Sequence, residues 1–104
     1  MRLFPLAVLL IAAGFVLPAA AQDVEHGQEL LTKNCGSCHA VGTSGDSPNK
    51  QAVPFREIGR RYQVEALEEA LGEGMMSGHP DMPEFTFDAD EVGDIIAYLK
   101  SIQR

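Results

Sequence analysis

The most constraining feature of the chain is the pentapeptide Cys35-Gly36-Ser37-Cys38-His39, which holds both of its cysteines. Two thiols at this spacing, followed at once by an imidazole, form the attachment pattern of a c-type haem. Both sulfurs must reach vinyl groups on one porphyrin edge, and the adjoining histidine then lies under the ring as an axial iron ligand. Three other chemistries compete for the same residues. A thioredoxin-like redox pair needs a βαβ setting, and no alternating apolar pattern of useful length marks a strand. Zinc would need a fourth ligand beside Cys35, Cys38 and His39, and His26 or His79 would have to supply it. A disulfide closing so short a loop would stabilise little. The reading taken forward is one haem c, covalently held by Cys35 and Cys38, with His39 on the iron. There is no second pentapeptide of this kind and no internal repeat, so one haem and one electron per chain are expected.

The apolar content of the chain must be discounted before its core is judged. Of 104 residues 45% are hydrophobic, but much of that share lies in the uncharged run 3–17, behind Met1-Arg2 and ahead of Pro18-Ala19-Ala20-Ala21. A positive end, an apolar stretch and a small-residue exit form a secretory signal peptide with cleavage after Ala21. The competing reading is a retained anchor, since residues 3–21 approach the roughly 20 that a spanning helix needs. Two prolines and the small-residue exit argue for cleavage. The expected division is therefore a signal peptide, 1–21, and a haem domain, 22–104, exported to the periplasm.

Cleavage removes Arg2 and no acid, taking the formal charge from −7 to −8 on 83 residues. A chain this acidic is a poor ligand for nucleic acid, which binds through cationic surface. Its expected partners are redox proteins with a basic docking patch. Contact with a membrane is expected only transiently or through an uncleaved signal, and the chain is expected to be a monomer. A domain near 80 residues buries little core and usually needs a disulfide, a metal or a bound group to complete it.

The pattern along 22–104 is helical. Asp23 can cap a helix with Val24, Gly27, Leu30 and Leu31 at spacings of three and four, running to Asn34 and the first cysteine. Asp88 and Glu91 have the spacing of a capping box, followed by Val92, Ile95, Ile96, Leu99 and Ile102 on one face. Residues 55–61 read as a short helix. Val64, Leu67 and Leu71 mark another, ended by Gly72-Glu73-Gly74. The segment 41–52, rich in glycine, serine, proline and asparagine, reads as a loop. The fold class is all-α.

Among the methionines, Met75 and Met76 follow a glycine turn, whereas Met82 stands in His79-Pro80-Asp81-Met82-Pro83. The two prolines restrict the backbone, so a thioether there can be presented at little cost in ordering entropy. Met75 or Met76 could ligate instead, with Met82 only packing, since methionine is commonly a gap filler. His79 could ligate in a bis-histidine site.

With Cys35 to His39 and His79 to Phe85 in view, residues 23–101 resemble the class I c-type cytochromes, small monohaem bacterial proteins. The resemblance implies three to five short helices packed around one covalently attached haem. It selects Met82 as the second axial ligand, and it implies that Gly27 and Leu31 touch the C-terminal helix near Ile95 and Tyr98. Val53-Pro54-Phe55 resembles the segment whose proline carbonyl accepts the second ring hydrogen of the histidine, which makes Pro54 the expected partner of His39.

Arg60, Arg61 and Tyr62 follow the short helix and could meet haem propionates, a guanidinium fork matching a carboxylate; a solvated basic face is the alternative. Phe55, Phe85 and Phe87 should pack on the porphyrin or the helices. An iron closed by histidine and methionine has no open position, and the soft thioether favours the ferrous state. The expected function is one-electron transfer rather than catalysis. The alternatives are an electron-transfer subunit of a periplasmic dehydrogenase or oxidase, and a haem-based sensor whose sixth ligand is displaced by a small molecule.

Overall fold

Two helices crossing at a glycine organise the molecule. The structure, a computed structural model, describes residues 2–5, 7–15, 22–74 and 82–104. Among these, helix α1 (Val24–Cys35), two 3-10 helices (Phe55–Arg60 and Val64–Ala66), α2 (Leu67–Glu73) and α3 (Ala89–Ile102) follow in order, with no strand. The all-α expectation holds.

Helix α1 starts where Asp23, in extended conformation, accepts a hydrogen bond from the His26 backbone N–H on its carboxylate (3.0 Å). That bond satisfies one of the orphan donors of the first turn. Helix α3 begins with a complete capping box: the Asp88 carboxylate accepts from Glu91 N–H (2.8 Å), and the Glu91 carboxylate accepts from Asp88 N–H (3.1 Å). Its apolar stripe of Val92, Ile95, Ile96, Leu99 and Ile102 is buried as the spacing required, and Tyr98 joins it. Ile95, at 0% exposure, is the centre of the core.

The crossing of α1 and α3 is set at Gly27. A Cβ there would overlap the Asp94 carbonyl oxygen and lie 2.6 Å from its carbon, a distance no side-chain carbon can hold. Gly27 and Leu31 are the buried residues of α1, packed where α3 carries Ile95.

The short helices depart from expectation in detail. Residues 64–73 are not one helix: a 3-10 turn over Val64–Ala66 leads into α2, and neither start has a side-chain cap. Within the expected stop Gly72-Glu73-Gly74 it is Gly74 that ends α2, at a φ of +106° open to glycine, so the helix runs past Leu71 to Glu73. The next described segment returns to α2 through Phe87 N–H, which donates to the Leu71 carbonyl (2.9 Å).

Residues 2–5 and 7–15 carry no regular structure, and their large apolar side chains are exposed, Phe15 at 97%. The expected cleavage site, Ala19 to Ala21, lies outside the described residues. No described helix is long and apolar enough to cross a membrane.

Candidate haem-binding site

The end of α1 brings the pentapeptide together. The helix does not stop sharply at Cys35: Gly36 N–H still donates to Thr32 O (3.1 Å), and the Cys35 carbonyl accepts from both Cys38 N–H (3.2 Å) and His39 N–H (2.9 Å). One further turn therefore carries Cys35, Cys38 and His39 on a compact corner fixed to a rigid element. Both sulfurs are half-buried thiols not joined to one another. Burial, reinforced by Cys38 nearby, pushes the Cys35 thiol up to about 11. A redox-active pair needs the opposite shift, a stabilised thiolate. Among the described residues no cluster of three or more histidine, cysteine or acidic side chains is placed to hold a metal ion, so the zinc alternative finds no described fourth ligand.

His39 is oriented from two sides. Its Nδ1–H donates to the Val53 carbonyl (2.7 Å), and the Phe55 ring stacks on the imidazole with centroids 4.6 Å apart at 20°. A carbonyl only accepts, so Nδ1 carries a proton, and in the neutral ring this leaves the lone pair on Nε2, the tautomer a metal-ligating histidine uses. The expected acceptor, Pro54, is corrected to Val53. The Pro54 carbonyl is engaged elsewhere, accepting from Glu57 N–H (2.9 Å) as the first turn of the 3-10 helix closes. Pro54 shapes the site by starting that helix, so that Phe55, its first residue, meets the imidazole.

The loop after His39 is tied down at several points. Phe55 N–H donates to Ala40 O (3.0 Å), Asn49 N–H to Cys38 O (3.1 Å), and Ala40 N–H to Ser47 Oγ (3.0 Å). From α3, the Tyr98 hydroxyl donates to the Val41 carbonyl (2.7 Å). The resemblance implied Tyr98 at the helix crossing, but this second role depends on a non-local carbonyl and had no sequence signal.

Met82 is half-buried and opens the stretch 82–88, which is anchored by buried Phe87, with Phe85 stacked on it at 6.4 Å. Met75, Met76 and His79 lie outside the described residues. Arg60 and Arg61 are exposed, and Tyr62 is 57% exposed, at the end of the first 3-10 helix. Two half-buried thiols and a histidine with a free Nε2 on one corner are the donor set a covalent haem c needs.

The comparisons with known proteins agree. Residues 24–103 match the Cytochrome c family. The chain is 31% identical to cytochrome c-552 of Bradyrhizobium diazoefficiens, over 92% of this chain and 90% of that one. It is 32% identical to cytochrome c6 of Picosynechococcus, over 90% and 86%. A match of 35% to the cytochrome bc1 complex cytochrome c subunit of Corynebacterium diphtheriae spans 76% of this chain but only 27% of that longer protein. No solved structure matches significantly. The chain belongs to the cytochrome c family and is a haem c electron carrier, not an enzyme.

Proposed function

We propose that the chain is an exported, periplasmic monohaem carrier that passes single electrons between redox proteins, with His39 and Met82 as the axial ligands. The observation that supports this reading is the hydrogen bond from His39 Nδ1 to Val53, which engages Nδ1 and leaves Nε2 available to ligate a metal. The bound haem supplies a one-electron iron couple. The protein supplies rigidity: the imidazole is held by one carbonyl and one stacked ring, so gain or loss of an electron needs little rearrangement. Met82, half-buried on a segment anchored through Phe87, is the described thioether available as sixth ligand.

Export is supported by the leader, whose described apolar side chains contribute nothing to the core. The acidity of 22–104 favours a basic docking surface on the partner and brief encounters steered by charge. Arg60, Arg61 and Tyr62, exposed at the far end of the 3-10 helix whose first residue stacks on His39, are proposed to serve the haem propionates. A second reading, a carrier acting with or within a respiratory complex, is favoured by the similarity to the bc1 complex subunit.

The test is carbon monoxide. With both axial positions filled by protein, the ferrous holoprotein keeps its absorption spectrum under the gas, and the ferric form shows the weak long-wavelength band of sulfur on iron. A spectrum that shifts under carbon monoxide contradicts closed ligation and returns the sensor reading. Purified protein beginning at Gln22 in the periplasmic fraction is the expected product of export.

A further inference from the structure

Helix α3 ends at Ile102, and the next residue, Gln103, turns out of the helix with ψ of 142°. Its carboxamide then reaches the 3-10 helix Phe55–Arg60. Oε1 accepts from Gly59 N–H (2.7 Å), and Nε2 donates to the carbonyls of Phe55 (2.8 Å) and Leu99 (2.8 Å). The amide has one possible orientation, because a flip would set NH2 against an N–H and oxygen against two carbonyls. Gly59 makes the approach possible: a Cβ there would stand 2.8 Å from Gln103 Oε1.

The clamp matters because the clamped element has little stability of its own. Six residues in 3-10 geometry form a marginal helix, and Pro54 gives it no side-chain cap. Gln103 grips it at both ends, through Phe55 O and Gly59 N–H. The neighbouring residue adds to the grip, since Arg104 N–H donates to Arg56 O (3.1 Å). At the front of this element sit the two groups that orient His39, the stacked ring of Phe55 and, two residues earlier, the Val53 carbonyl.

We propose that Gln103 is a positioning residue for His39: its carboxamide fixes the helix Phe55–Arg60 and thereby holds the ring and the carbonyl that orient the imidazole. The proposal rests on His39 being the iron ligand. It touches neither the ligand nor the haem attachment residues, and it makes the C-terminus of α3 a determinant of the site's geometry.

The test is the solvent exchange of the His39 Nδ1 proton, followed by NMR in the holoprotein. Gln103→Ala removes all three carboxamide bonds and speeds this exchange by about tenfold or more, the scale of even one lost hydrogen bond, and displaces the reduction potential. Gln103→Glu keeps an acceptor for Gly59 N–H but sets a carboxylate oxygen against the Phe55 and Leu99 carbonyls, and also speeds the exchange. Ser101→Ala removes a different bond at the same helix end, from Ser101 Oγ to Tyr98 O (2.6 Å), and leaves the exchange unchanged. An unchanged rate in both Gln103 variants, or an equal acceleration in Ser101→Ala, overturns the proposal while leaving ligation intact. A wild-type His39 ring whose resonances do not respond to iron oxidation overturns the ligand reading, and the proposal with it.

Discussion

Asp94 joins the two principal helices with a single carboxylate. Oδ1 accepts from Asp23 N–H (2.7 Å) and Oδ2 from His26 Nδ1–H (2.7 Å), so the first turn of α1 is braced against α3 beside the Gly27 contact. His26 occupies the positive end of its helix, where protonation is ordinarily disfavoured. The hydrogen bond to Asp94, helped by Asp23 and Glu29, nevertheless raises its pKa above 6.5, and the same bond with that from Asp23 lowers that of Asp94 below 3.8. A raised histidine contributes stability that is complete below 6.5 and lost as pH climbs through its folded value. The depressed carboxylate contributes above 3.8 and is lost as pH falls through its own. The pair therefore supports the fold most between the two. Urea unfolding at roughly pH 6 and pH 8.5 should show wild type losing more of its midpoint than Asp94→Asn; equal losses would remove the pair from the pH response.

The same scale explains one miss at the site. Val53 and Pro54 offer successive carbonyls, and which faces His39 depends on backbone direction that the order of residues does not encode. The structure turns Pro54 O into its helix and leaves Val53 O for the ring.

At the scale of elements, α1 and α3 were legible because each has a side-chain cap and a continuous apolar stripe. The region 64–73 was less so: with no capping side chain at Gln63 or Ala66, the apolar spacing alone could not separate a 3-10 turn from the helix after it. The pentapeptide was legible by chemistry, whereas the Gln103 clamp, formed across 44 and 48 residues, was not. Two glycines test the role of packing against that of propensity. Gly27→Ala gains up to about 1 kcal/mol of helix propensity but forces the α1 and α3 backbones apart, at about 1–3 kcal/mol. Its Tm should fall by several degrees. At Gly72, in α2, a Cβ would meet only Val92 Cγ2, at 4.0 Å, among the described residues, and Gly72→Ala should leave Tm level or higher. Thermal unfolding of both holoproteins decides the matter; equal effects would mean the crossing is not limited by Gly27.

For the whole molecule, size and function have one solution. The buried apolar core is drawn largely from α3 and the segments 55–67, a modest inventory for a chain this small. The prosthetic group that the pentapeptide binds completes the domain, and under the proposed ligation by His39 and Met82 an iron closed by two protein ligands would suit a carrier rather than a catalyst. The charge of 22–104 acts at this scale too, governing encounters with partners rather than the fold. The most direct test of the account is a redox titration of the holoprotein, with absorption recorded throughout, beside Met82→Ala. The account predicts a single one-electron transition in wild type and, in the variant, loss of the sulfur–iron band with a potential lower by roughly 0.1 V or more, because the thioether no longer favours ferrous iron. A variant with the wild-type spectrum and potential would contradict it.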